Sequence, residues 1–376
     1  MARLSPAFSA YLDGSRLFAA LVVFAHHASY SAFDGGWIAP LGGYGHEAVM
    51  IFFVLSGYVI THVVDSRERD LGEYVISRLS RLWSVALPAI AVTWLMDAVG
   101  RAIAPQIYDV PSLTVASALG SVPFLNEIWF AEITPGSNIP YWSLSYEFVY
   151  YVLFAAFTFL PHRPLVLALV ALAAGPKILL LLPAWACGSV AYRFSARPLT
   201  KRAAYALAAG GGVVAACLAV SKAGNLYVTW RWAHVIGSRG LELMGHSSAF
   251  ISDNLIALAF AAHLVGLAHL LGNARLPPKI AQAIQQISAA TFPIYLLHYP
   301  SLYFFTAVSI GLAGARKGIL IGLASLSIGV MLTPATERLK HLLRHALKAI
   351  ACLGGTTDPP IIGQRKAETR GVKRPP

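Results

Sequence analysis

Charge is what this chain has least of. Asp, Glu, Lys and Arg together make up 12% of 376 residues, about half the share of an ordinary soluble domain. That scarcity, with 57% apolar residues and a mean hydropathy of +0.62, excludes a soluble enzyme and a disordered chain and leaves a membrane protein. Long polar stretches are also missing. About ten spans of ~20 residues fill this length, and no soluble domain of ordinary size is left over. The three cysteines, Cys187, Cys217 and Cys352, lack CxxC or ligand spacing, which removes a disulfide framework and a thiolate metal centre. Nor is there a Gly-rich phosphate loop, a Gly-x-Ser-x-Gly elbow or a metal-ligand cluster. No cleavable signal pattern precedes the first apolar run, which reads as a retained anchor. No internal repeat marks inverted transporter halves.

What is present is a series of apolar segments at about 15–33, 47–64, 82–104, 143–160, 164–175, 178–194, 203–221, 252–271, 287–309 and 317–334. They predict an all-α polytopic membrane bundle of about ten transmembrane helices. Segment 225–250, with Trp230, Arg231, Trp232 and His234, reads as an interfacial piece. Lys and Arg cluster in alternate loops, whereas 34–46 and 105–142 contain neither. The positive-inside rule then places both termini in the cytoplasm, and the net charge of +12 reflects that rule and not nucleic-acid binding. Residues 1–335 form the membrane domain. Residues 336–376 read as a basic, largely disordered cytoplasmic tail attracted to anionic headgroups.

Ionisable groups inside spans are costly and mark functional paths. Arg16 and His27, eleven positions apart, share one face of the first helix, roughly 16 Å apart along its axis. Counted from the span boundaries, Glu147 lies at the depth of His27. A carboxylate and an imidazole at one depth form an acid–base pair suited to general-base work, or a buried pair that only fixes helix register. Ser56 and Gly57, in Phe52-Phe53-Val54-Leu55-Ser56-Gly57, allow close helix packing. Arg78 and Arg81 sit at the inner mouth of the third span. Their guanidinium forks suit phosphate oxygens, although from spacing alone ordinary membrane anchoring is the better account of them.

In order along the chain stand Leu12-Asp13-Gly14, Arg16 and His27, Phe52 to Gly57, Arg78 and Arg81, Trp142-Ser143-Leu144-Ser145-Tyr146-Glu147, and Tyr295-Leu296-Leu297-His298. Together these segments resemble the acyltransferase-3 family of integral membrane O-acyltransferases. The family's inner arginine motif is incomplete here, with Ser77 in the place of its first arginine. The resemblance implies transfer of an acyl group, commonly acetyl, from cytoplasmic acyl-coenzyme A to a hydroxyl of a cell-surface or lipid-linked carbohydrate. It implies an inner-membrane location and no metal. It also implies Arg16, His27 and Glu147 in catalysis, with Arg78 and Arg81 toward the coenzyme phosphates. Trp142, Tyr146 and Asp253 are candidate substrate contacts. His298 either contacts substrate or bridges helices. A proton-coupled transporter or flippase for a glycan or lipid is the competing reading, because the same Arg, His and Glu can form a proton relay.

Overall fold

The computed structural model describes residues 4–68, 70–221, 223–309 and 311–353, and for 223–230 the backbone alone. Among them there is no strand. The helices are α1 (Pro6–Ala28), α2 (Gly45–Ser66), α3 (Leu71–Ile103), α4 (Val115–Ser121), α5 (Trp142–Phe159), α6 (Arg163–Ala174) and α7 (Pro176–Leu180). They continue with α8 (Leu182–Ser195), α9 (Lys201–Ser221), α10 (Ala223–Met244), α11 (Phe250–Leu270), α12 (Pro278–Ser288), α13 (Thr291–Val308) and α14 (Gly314–Leu353). Their starts follow local chemistry. Ser5 caps α1, its hydroxyl accepting from the Phe8 N–H with Pro6 at the first helical position, and Asp70 caps α3 through the Glu73 N–H.

Seven helical stretches are long and apolar enough to cross a membrane, so the protein is an all-helical multi-pass membrane protein. α5 and α13 are 18 residues each and lie largely inside the bundle. α6, expected as a span, has only 12 residues. Segment 225–250 is helical, with a kink at Gly237 where φ is 75°. The boundary expected at 335 falls inside α14, which stays helical to Leu353. The remainder of the expected tail, 354–376, lies outside the described residues.

The core is built from α1, α2, α3, α5, α8, α11 and α13. α2 and α8 touch at their backbones. A Cβ on Gly57 would collide with the Trp185 carbonyl, and one on Gly188 with the Val54 carbonyl, which is the close approach that small residues permit. Thr61 Oγ1 joins Ser189 Oγ across this contact at 2.8 Å.

The loop before α5 does not run over the bundle's end but is tucked into it. Asn138 Nδ2 donates to the Leu296 carbonyl at 2.8 Å, Tyr295 donates to the Pro140 carbonyl at 3.1 Å, and Asp97 accepts from both the N–H and the hydroxyl of Ser137. A buried ion pair, Lys177 to Glu127 at 2.5 Å, pins the same loop to α7. Gly57→Leu or Gly188→Leu is expected to cost at least the 1–3 kcal/mol typical of overpacking, read as a lower unfolding temperature of the purified protein. A Leu at exposed Gly210, where a Cβ would meet nothing, should leave that temperature unchanged.

Candidate functional site

A cavity of about 450 Å³ opens among α1, α2, α3, α5, α12, α13 and α14. Arg16, Arg81 and Lys340 line it together with the carboxylates Asp13, Glu147 and Glu337, and Gln285 and Ser288 of α12 also face it. Phe52, Phe53, Ser143 and Tyr295 form its apolar and hydroxyl-bearing wall. Among the described residues Arg16 makes only long polar contacts, 3.5 Å to Asp13 and 3.5 Å to the Leu55 carbonyl. Arg81 makes no ion pair or side-chain hydrogen bond among the described residues. Arg78 is different. It is buried, bound to Glu68 at 2.7 Å and to the Ser77 hydroxyl at 2.9 Å, with its guanidinium over the Tyr74 and Tyr151 rings. The two arginines expected to act together are therefore split. Three positions of helix turn Arg81 to the cavity and Arg78 into a structural pair.

Glu147 lines this cavity, where it accepts from Ser56 at 2.7 Å and from Tyr151 at 2.5 Å. His27, expected beside it, is held elsewhere. Its Nδ1 lies 2.8 Å from Nε2 of His298, the two rings stacking at 5.0 Å, with Tyr299 edge-on. The separation has a physical cause. The tucked loop starts α5 deep in the bundle, so that Ser143 meets Tyr295, 2.8 Å between hydroxyls. Glu147, a turn further along α5, then falls level with Ser56 and Arg16 instead of His27.

The hydrogen bonds fix the tautomers of the pair. His298 Nδ1 faces the Ile294 carbonyl at 3.1 Å, so it carries the proton and Nε2 accepts. His27 must then donate from Nδ1, and its Nε2 keeps a free lone pair. His298 also lies one turn beyond cavity-lining Tyr295 on α13, a rise of about 4.5 Å, which links the cavity to the histidine pair. His26 is a packing residue whose Nδ1 accepts from the Gly43 N–H.

The remaining candidates lie apart from the cavity. Tyr146 is fully buried and bonded to Ser247 at 2.9 Å. Trp142 stacks on His246 at 4.2 Å between ring centroids. Asp253 is fully buried and pairs with Nε2 of His46 at 2.9 Å. Sequence reasoning missed His46, His246, Lys340 and Asp13. Asp13 stands in the quoted Leu-Asp-Gly lead, and its i,i+3 spacing to Arg16 was the available signal. For His46 and Asp253, 207 positions apart, there was none.

Comparisons with known proteins identify the family. The family model described as "Acyltransferase domain", that of the acyltransferase-3 family, matches residues 9–335. The chain belongs to this family. It is 35% identical over 153 residues to the acyltransferase MdmB of Streptomyces mycarofaciens, covering 38% of this chain and 37% of that one. It is 27% identical over 180 residues to the O-acetyltransferase OatA of Staphylococcus aureus, covering 42% of this chain and 26% of that one. A 27% match over 166 residues joins it to the putative peptidoglycan O-acetyltransferase YrhL of Bacillus subtilis, covering 39% and 23%. The chain thus matches well under half the length of each of these relatives. No solved structure matches it.

Removing one partner of a buried ion pair strands the other, at a cost of about 3–5 kcal/mol. Arg78→Ala is accordingly expected to lower the unfolding temperature strongly, while Arg81→Ala leaves it near wild type. Equal effects in the two variants would contradict the split between them.

Proposed function

We propose that the protein transfers an acyl group, acetyl in the first instance, from cytoplasmic acyl-coenzyme A to a hydroxyl of a cell-surface or lipid-linked carbohydrate. In this reading it lies in the cytoplasmic membrane with both termini inside, and residues 1–335, with Lys340 on the continuation of α14, carry the reaction. The observation that carries the proposal is the cavity. Cations line it, an aromatic and hydroxyl wall follows, and one helical turn beyond that wall stands His298, bonded to Nδ1 of His27, whose Nε2 is free.

The coenzyme's phosphates are matched by Arg81, Arg16 and Lys340, since charge-assisted contacts to phosphate are the strong ones. Glu147 and Asp13 offset those cations while the site is empty. Arg78 keeps α3 in place through Glu68. The acyl arm runs past Phe52, Phe53 and Tyr295 toward His27. There the acceptor oxygen bonds to the acyl carbon as its proton passes to Nε2 of His27. The carbon–sulfur bond breaks, and the sulfur leaves as the thiol, taking that proton. His298 holds the tautomer of His27, the orienting part expected of Glu147. Trp142 and Asp253 belong to the acceptor side. The resemblance to enzymes named as O-acetyltransferases supports acetyl and a carbohydrate acceptor.

Arg81→Ala should weaken acetyl-coenzyme A binding about 10–100-fold, the worth of one or two charge-assisted bonds, measured by calorimetry on the purified protein. His27→Ala should abolish transfer while keeping donor binding. His298→Gln offers an acceptor in the place of Nε2 and should retain at least about ten times the activity of His298→Leu. Equal loss in both would remove His298 from the tautomer chain. In a cysteine-free background, an impermeant maleimide added outside cells should label Asp109→Cys and miss Ser66→Cys. The reverse would overturn the orientation and with it the side from which the donor comes.

A further inference from the structure

A histidine–carboxylate pair stands at the start of α2. His46 lies in the first turn of that helix, and its Nε2 is 2.9 Å from Oδ2 of Asp253 on α11. The carboxylate can only accept, so Nε2 carries the proton and Nδ1 is left for an incoming group. The His46 side chain is 29% exposed, while Asp253 is fully buried. Oδ1 of Asp253 has no hydrogen-bond partner among the described residues, a costly state for a buried carboxylate oxygen.

Two rings complete the cluster. Trp142 stacks near-parallel to the imidazoles of His46, at 6.2 Å and 19°, and His246, at 4.2 Å and 7°. The backbone beside His246 is fixed, because Ser247 Oγ donates to the Lys177 carbonyl at 2.6 Å and meets the Tyr146 hydroxyl. The cluster also connects to the donor cavity. His46, Val49, Phe53 and Ser56 fall on one stripe of α2, and the last three line the cavity. Trp142 likewise precedes cavity-lining Ser143.

We propose that His46, Asp253, Trp142 and His246 form the binding site for the hydroxyl-bearing acceptor, resting on the acyl-transfer reading above. The chemistry selects the ligand class. A buried carboxylate with an open oxygen repels phosphate and accepts from hydroxyls, imidazoles exchange hydrogen bonds with hydroxyls in either sense, and the ring stack offers an apolar edge. That is a neutral, hydroxyl-rich ligand, a sugar ring. Donor and acceptor then approach from opposite ends of the same α2 stripe.

The test uses the full chain in its own cells, deleted and complemented with wild type, His46→Ala, His46→Gln or Asp253→Asn. Base-released acetate from envelope carbohydrate is measured alongside acetyl-coenzyme A binding and the unfolding temperature of each purified protein. The expected result is a tenfold or greater fall in carbohydrate ester for His46→Ala and Asp253→Asn, with donor affinity unchanged. If His46→Ala fails to fold, His46→Gln and Asp253→Asn carry the same expectation. Wild-type ester levels in folded variants would overturn the proposal, and so would a parallel loss of donor affinity. Should wild type itself add no ester over the deletion, the acyl-transfer reading fails and this inference with it.

Discussion

An uncompensated charge inside an apolar bundle costs several kcal/mol, and the placement of the ionisable side chains in this protein answers to that cost. Glu68 neutralises Arg78, and Glu127 neutralises Lys177. Asp253 is met by His46 and Glu147 by two hydroxyls. Against this background of groups that each have a charged or hydroxyl partner, Arg81 and the long contacts of Arg16 stand out, and both line one cavity. The polarity that remains unspent is where a charged substrate can be received.

The same economy shapes the backbone. A loop entering a bundle must satisfy its peptide groups. The segment before α5 does so by bonding to α13 and α3 through Asn138, Pro140 and Ser137. Its insertion sets the depth of α5, and so decides which residues meet. Ser143 reaches Tyr295, Glu147 reaches Ser56, and His27 is left to His298. One irregular segment thus separates the charged cavity from the histidine pair while keeping them a helical turn apart on α13.

Much of this was legible in the sequence. The helical membrane class followed from composition, the Arg16 and His27 face from spacing, and the close packing at Gly57 from its small side chain. The pairing of His27 was not legible. Depth counted from a span start at 143 presumes that α5 begins at the membrane surface, and the tucked loop removes that premise. Arg78 and Arg81 look alike in sequence, and only the position of Glu68 tells the buried one from the cavity-lining one. Lys340 was hidden by an expected boundary at 335, beyond which the sequence reads as a basic tail, whereas the helix continues to Leu353. His46 carried no signal, because its partner arrives from α11 through tertiary packing alone.

The central claim is that the cavity among α1, α3, α12 and α14 receives the acyl donor. Photo-crosslinking with a coenzyme A analogue bearing the reactive group on its nucleotide end tests this most directly, with the labelled peptides identified by mass spectrometry. The account predicts label on the segments carrying Arg81, Gln285 and Lys340, competed away by acetyl-coenzyme A. Label confined to the 105–141 loop, or label indifferent to competitor, would contradict it.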